Sequence, residues 1–186
     1  MMRQLFAIIL LLLLAACAST PPKPAMAPLG TNGPFGYTDR PIVDDKTAVT
    51  YTGPYILINT VQPREDSRLQ GEIAKTYDLA LWRAAQLGQA QGYAGLKVDQ
   101  EQRDSDVNVW DTPIPSPYAF GPCWRGCYNR PFFYNDYYDV QRSARGRAVI
   151  RLTVSYSRQF DPAQTGALSI AAILSQMQVK WATATY

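Results

Sequence analysis

The chain has 186 residues and a formal net charge of +3, and this length suits one domain with a proper core rather than two. The nearly balanced charge, with no run of lysines or arginines, argues against a nucleic-acid partner. The sequence contains no histidine, which excludes Ser-His-Asp and Cys-His catalysis, and we predict no catalytic residues, no metal site and no bound cofactor.

The N-terminal residues are typical of a secretory signal peptide. Arg3 precedes an unbroken apolar run from Leu5 to Leu14, which is too short to span a bilayer as a permanent helix. Leu14-Ala15-Ala16-Cys17 resembles the lipobox of bacterial lipoproteins. The resemblance implies that residues 1–16 are cleaved and that Cys17 receives a diacylglycerol and an N-terminal acyl chain. A soluble secreted protein with a chance cysteine and a signal anchor are the alternatives.

The lipid and the segment after it predict where the domain sits. Each buried CH₂ of an acyl chain adds about 0.8 kcal/mol, so an anchor of three chains is effectively permanent. Residue 18 is alanine rather than aspartate. By resemblance to the sorting rule of enteric bacteria, this favours the periplasmic side of the outer membrane over the inner membrane. Residues 17–34 are rich in proline, alanine and glycine, and we interpret them as a flexible tether before a domain spanning 35–186.

The first half of the domain predicts two strands and a long helix. Residues 47–53 alternate and are β-branched, which predicts a strand, and residues 54–60 predict a second short strand. An amphipathic helix then begins at the capping-box residue Ser67, or earlier at Pro63, and ends at Gly92. Its apolar residues recur at spacings of three and four: Leu69, Ile73, Tyr77, Ala80, Ala84 and Leu87.

The second half predicts two more strands, an insertion and a short helix. Leu96 and Val98 alternate with polar neighbours, and residues 145–160 alternate most clearly of all. Between them, residues 110–144 hold many prolines, glycines and aromatic residues without a period, so we expect a long loop or insertion there. Residues 166–178 predict a short helix. This order predicts an α+β fold: a single small domain with a mostly antiparallel sheet packed against one long helix and one short C-terminal helix.

Several stretches resemble a family of small, uncharacterised envelope lipoproteins of proteobacteria. Gly36-Tyr37-Thr38-Asp39 is similar to the start of their mature domain, and Tyr51-Thr52-Gly53 is similar to the end of a strand that follows. Leu81-Trp82-Arg83-Ala84-Ala85-Gln86-Leu87 matches the core of their central helix, which a Gly-Tyr pair closes, here Gly92-Tyr93. The resemblance covers roughly residues 35–100. It implies a location in the cell envelope and supports the α+β fold, and it identifies no catalytic residue.

Cys123 and Cys127 form a pair with three residues between them. With Cys17 used for lipid, an even number of thiols remains in an oxidising compartment, which predicts a disulfide. Its short loop would contribute about 2 kcal/mol and fix a local turn. A catalytic redox pair and half of a metal site are the alternatives, but the spacing is not that of thioredoxin and two further ligands are missing.

Aromatic residues surround this cysteine pair. They either pack on the domain or form an exposed binding patch with a neighbouring arginine. Tyrosine and tryptophan faces also suit sugar rings, which makes peptidoglycan or another envelope glycan a candidate partner. The candidate binding residues are Trp124, Arg125, Phe132, Phe133, Tyr134 and Tyr137.

The remaining charged groupings have simpler interpretations. Arg83 is expected to form an ion pair with Asp78 or Glu72, its acidic neighbours on the predicted helix. Asp44-Asp45 and the group Asn135, Asp136 and Asp139 lack the ligand spacing of a calcium loop, so we interpret both as solvated turns.

Together these features predict a lipid-anchored periplasmic lipoprotein. Its domain is expected to act as a non-enzymatic envelope interaction or assembly module, with an envelope protein or a glycan as partner. One alternative is a module that binds a glycan or a hydrophobic ligand through residues 118–138. The other is a histidine-free hydrolase or redox enzyme.

Overall fold

The structure is a computed structural model that describes residues 25–115, 138–163, 165–181 and 183–186. These residues form a single small domain with one curled antiparallel sheet and two helices, which confirms the predicted α+β class. The elements, in chain order, are β1 Gly36–Val43, β2 Lys46–Thr52, β3 Ile56–Leu57, α1 Ser67–Ala90, β4 Gly95–Pro115, β5 Tyr138–Ser157, β6 Ala167–Ser169 and α2 Ile170–Trp181.

The sheet has the strand order β1-β2-β5-β4-β6, and the short β3 pairs with β5 beyond the end of β2. Every second residue of its central strands points towards the helices and is buried, as the period of two requires. Val49 lies opposite Leu152, and Tyr51 lies opposite Ile150. We call this helix-side surface the covered face; its buried residues are Thr47, Val49, Tyr51, Leu96, Ala148, Ile150, Leu152, Val154 and Tyr156.

Helix α1 begins at Ser67, as predicted, but a different residue caps it. The cap is Asp66 rather than Ser67, and its carboxylate accepts hydrogen bonds from the backbone N–H groups of Arg68 at 2.8 Å and Asn59 at 2.6 Å. Donation by the Arg68 side chain and by these backbone groups lowers the pKa of Asp66. Gly92, with φ of +78°, follows the helix end, as predicted. Pro63 opens a separate 3-10 turn.

The expected loop over residues 110–144 is wrong at both of its ends. Strands β4 and β5 remain paired from Gly95 opposite Ser157 to Pro115 opposite Tyr138. Beyond Lys97 no described strand pairs with the outer side of β4, so β4 is an edge strand there. Prolines are tolerated on such an edge, which is why residues 110–115 remain in the strand despite their composition. Residues 116–137 lie outside the described part of the chain.

Residues 25–34, which we interpreted as part of the tether, pack against the domain. Ala25 and Ala27 are buried, and the Ala25 carbonyl accepts a hydrogen bond from the hydroxyl of Tyr51. Gly36 has φ of +129°, and a β-carbon at that position would collide with the carbonyl oxygen of Ala27. The glycine of the Gly-Tyr-Thr-Asp motif therefore lets this segment lie directly on β1.

The sequence pattern did not predict two of the strands. Strand β1 is mostly exposed and contains Pro41, so it shows no alternation of apolar residues. Strand β6 takes residues 167–169 of the segment 166–178, which was predicted to be helical, and α2 then runs from Ile170 to Trp181. Ile170, Ile173 and Met177 of α2 are buried against the core, as the apolar pattern predicted.

Candidate functional site: the open face of the sheet

The second face of the sheet is not covered by either helix and forms a concave surface. The residues that alternate with the covered face point into it, in cross-strand pairs such as Thr50 opposite Arg151 and Gln100 opposite Thr153. The depression has a volume of about 770 Å³. We call this surface the open face; the side chains around its depression are Thr38, Arg40, Ala48, Thr50, Gln100, Gln102, Arg151 and Thr153.

A β-bulge gives β4 its polar contribution to the open face. The register of β4 shifts by one residue between Val98 and Gln100, at Asp99. Val98 lies opposite Val154 of the covered face, whereas Gln100 lies opposite Thr153 of the open face. The single extra residue therefore turns the following even-numbered residues of β4 away from the helices.

The depression is lined by hydroxyl, amide and guanidinium groups. Thr50 and Thr153 are half-buried at its floor, and Gln100, Gln102 and Arg151 are exposed around them. These groups donate and accept hydrogen bonds. Asp104, a carboxylate on the same face, is already bound by the side chains of Arg151 and Gln102.

Further along the same face, two arginines stack on two aromatic rings. The guanidinium carbons of Arg145 and Arg147 each lie 4.6 Å from the ring centre of Tyr55, and Arg145 lies 5.6 Å from that of Trp110. The Tyr55 hydroxyl donates to Asp106 at 2.7 Å, and Arg147 also pairs with Asp106 at 3.0 Å. We call these five residues the arginine–aromatic cluster.

The hydrogen bond inside this cluster shifts the pKa values of both partners. Donation from Tyr55, with a smaller contribution from the positive charge of Arg147, lowers the pKa of Asp106. The same hydrogen bond raises the pKa of Tyr55. The carboxylate is therefore held in its charged form by its neighbours, which is the behaviour of a structural ion pair and not of a general acid.

The open face carries an excess of positive charge. The whole chain has 18 basic and 15 acidic residues, an excess of three. Among the side chains that the structure describes, six basic and three acidic ones lie on the open face: Arg40, Lys46, Lys97, Arg145, Arg147 and Arg151, with Asp99, Asp104 and Asp106. The described side chains of this surface thus carry an excess of three positive charges.

The expected partners of Arg83 are wrong. Arg83 pairs with Asp39 of β1 at 2.6 Å, and its guanidinium lies 4.1 Å from the ring centre of Tyr37. Asp78 is instead bound by Lys180, and Glu72 accepts from Tyr186. The contact joins the Gly-Tyr-Thr-Asp motif to the helix motif of the resemblance, so the described residues give both motifs a structural role at the rim of the covered face.

The residues that the sequence selects for lipidation, a disulfide and binding lie outside the part of the chain that the structure describes. Cys17, Cys123 and Cys127 lie outside the described residues, and so do the aromatic candidates and Arg125. Asp44 and Asp45 lie in the turn between β1 and β2. Among the described residues, no three acidic or cysteine side chains gather in a group that could hold a metal ion.

The open face itself was missed by the sequence reasoning. The alternation of β5 had placed Arg151 and Thr153 opposite the apolar residues, but such a pattern does not tell whether another layer covers the polar side. The helices of the described segments are also too short or too polar to cross a membrane.

Comparisons with known proteins return no family that matches this chain and no significant match among curated proteins or solved structures. The resemblance to small envelope lipoproteins therefore stays a prediction from the motifs.

Proposed function

We propose that this chain is a lipid-anchored envelope protein whose domain is a non-enzymatic interaction or assembly module, with the open face as its binding surface. The observation that supports the proposal is that both helices pack on one side of the sheet and leave a concave polar surface of about 770 Å³ on the other. A concave surface of this volume lies within the usual range for ligand sites.

The sequence of the first residues supports the proposed location in the cell envelope. The basic residue, the short apolar run and the lipobox-like end at Cys17 favour attachment through lipid at the periplasmic side of the outer membrane. Residues 18–24 would then lie between the lipid and the packed segment that begins at Ala25. At about 3.1 Å per residue, a fully extended linker of this length reaches roughly 20 Å, which would hold the domain close to the membrane.

The chemistry of the open face supports binding rather than catalysis. Its side chains offer hydrogen bonds and positive charge, and each of its three carboxylates that the structure describes already has a cationic partner: Asp99 with Lys46, Asp104 with Arg151 and Asp106 with Arg147. An acid–base mechanism requires a titratable group that is free to exchange a proton with substrate.

Site-specific crosslinking tests the binding surface directly. A photo-reactive amino acid at Thr50, on the floor of the depression, is expected to give a discrete adduct when cells are irradiated, and mass spectrometry of that adduct identifies the partner. The matched control is the same amino acid at Gln176, an exposed residue of α2 on the opposite side of the domain. Equal labelling at both positions, or none at Thr50, would contradict the proposal.

The lipid anchor has its own test. A Cys17→Ser variant is expected to leave the membrane fraction, while the wild-type protein stays there after a salt wash. A variant that still fractionates with membranes would remove Cys17 from the proposal and leave the binding surface to be judged by crosslinking alone.

A further inference from the structure

We infer that the open face binds an acidic glycan, a carbohydrate chain that carries carboxylate groups along its length. The inference rests on the proposed function, because it names the ligand class of that same surface. Five kinds of observation support it: the charge of the face, two arginines that form no ion pair with any described residue, an exposed aromatic ring beside one of them, the polar lining of the depression and its shape.

Charge complementarity gives the sign of the ligand. The described side chains of the open face include six basic and three acidic ones, and a concave surface lined by an excess of one charge attracts ligands of the opposite charge. Within the described residues, neither Arg40 nor Arg145 forms an ion pair. An arginine presents two parallel N–H donors that match a carboxylate, so each of these two residues is suited to one acidic group of the ligand.

The position of Arg145 is set by its aromatic neighbours. Its guanidinium lies within cation–π distance of both Tyr55 and Trp110, and these contacts hold the side chain over the sheet. Trp110 is 37% exposed, so part of its ring is open to a ligand that approaches Arg145. An exposed aromatic face beside an arginine suits a sugar ring whose acidic group is bound by the arginine.

The depression supplies partners for sugar hydroxyl groups. Thr50, Thr153, Gln100 and Gln102 present hydroxyl and amide groups there, and each can both donate and accept. Sugar hydroxyls need the same combination. A lining made only of basic residues would favour any polyanion, whereas this mixture favours a ligand that is both acidic and hydroxylated.

The shape of the face selects a chain rather than a small molecule or a membrane. Arg151 in the depression and Arg145 in the cluster are six residues apart on β5, which corresponds to roughly 20 Å along an extended strand. A ligand that reaches both is an extended polymer. A flat bilayer surface would touch the rims of the curled sheet and leave the half-buried threonines of its floor unsatisfied.

The experiment uses the full lipidated protein in detergent micelles and measures binding by calorimetry. The probes are an oligomer of galacturonic acid, a neutral galactose oligomer of the same length, and a single-stranded DNA with the same number of charges. We expect the acidic glycan to bind at least about tenfold more tightly than either of the others, the difference that one charge-assisted pair makes.

Arginine variants locate the site. The double variant Arg40→Ala/Arg145→Ala is expected to weaken binding of the galacturonic acid oligomer by at least about tenfold. The matched control is Arg64→Ala/Arg158→Ala, which removes the same charge from two exposed positions outside the open face and should change the affinity less than about twofold. Circular dichroism and the melting temperature establish that both variants are folded.

Three outcomes would overturn the inference: equal binding of the DNA, equal binding of the neutral oligomer, or equal losses in the two double variants. Absence of glycan binding up to about 1 mM would also overturn it. A discrete protein adduct at Thr50 in the crosslinking experiment, together with no glycan binding, would end the glycan inference and leave the binding surface itself intact.

Discussion

The two faces of the sheet are built from alternate residues of the same strands and follow different rules. On the covered face Leu152 is 1% exposed and packs in the core. Its neighbour Thr153 points the other way and is half-buried in the open depression. The covered face is constrained by volume, because a close-packed interior tolerates little change in size. The open face is constrained by hydrogen bonds and charge, and its side chains face solvent.

Two tyrosines show the same difference in their ionisation. Burial on the covered face raises the pKa of Tyr156 to about 12, and its hydroxyl donates to the Ala84 carbonyl at 3.0 Å. On the open side the pKa of Tyr55 is also raised, but the main cause is its hydrogen bond to Asp106. On the covered face the tyrosine pKa is thus raised mainly because water is excluded, and on the open side it is raised mainly by a specific hydrogen-bond partner.

Neighbouring substitutions on β5 should separate the faces most clearly. Leu152→Ala removes a fully buried side chain and is expected to lower the free energy of unfolding by about 2–5 kcal/mol. Thr153→Ala removes a hydroxyl from a solvent-facing position and is expected to cost less than about 1 kcal/mol. Urea denaturation of both purified variants, followed by circular dichroism, measures the two values. Similar losses in the two variants would mean that another layer covers the open face.

The covered face was largely predictable from the sequence. The alternation of Ile150, Leu152 and Val154 fixes both the strand and its apolar side, and the spacing of Leu69, Ala80 and Ala84 fixes helix α1. These residues repeat with the period of their own element. A local pattern is enough to identify them, because each buried position is determined mainly by which side of its own strand or helix it occupies.

The open face depends on information that a local pattern does not contain. Arg83 finds its partner Asp39 at a distance of 44 residues along the chain, whereas sequence reasoning chose acidic neighbours on the same helix. The bulge at Asp99 changes the direction of every later side chain of β4, and one extra residue leaves no clear mark on the sequence. Whether a polar face remains uncovered depends on where both helices pack, which is decided by the whole fold.

A buried polar group against the covered face offers a second test of this comparison, with a smaller expected effect. The hydroxyl oxygen of Thr76 in α1 is buried towards the sheet and has no hydrogen-bond partner among the described residues. Thr76→Val keeps the shape of the side chain and removes this unsatisfied group, so we expect a gain of up to about 1 kcal/mol. That gain corresponds to a rise in melting temperature of about 2–4 °C, measured by thermal unfolding.

The control for this test is Thr76→Ser, which keeps the hydroxyl and removes the methyl group. It is expected to destabilise the domain by about 1 kcal/mol, because a buried methyl is lost and the polar group stays unsatisfied. If the valine variant were the less stable of the two, the hydroxyl would have a partner in solution, and the covered face would hold a hydrogen bond that supports its packing.

The smallest expected effect lies on the open face and depends on pH. The pKa of Asp106 is lower in the folded protein than its ordinary value near 3.8, because Tyr55 donates to it and Arg147 lies beside it. A lowered folded-state pKa contributes stability that is present above the unfolded pKa and is lost as the pH falls through the folded pKa. The wild-type protein should therefore lose slightly more stability between about pH 5 and pH 2 than Asp106→Asn does.

The size of this difference also distinguishes the faces. Asp106 is exposed, so solvent screens its partners and the difference should stay below about 0.5 kcal/mol. Urea midpoints of the two proteins across this pH range give the value. The pKa values of Asp66 and Asp111 are also lowered, but these residues titrate alike in both proteins, so their contributions cancel in the difference. A difference of several kcal/mol would mean that Asp106 is shielded from water. The arginine–aromatic cluster would then be part of a second core instead of an exposed surface.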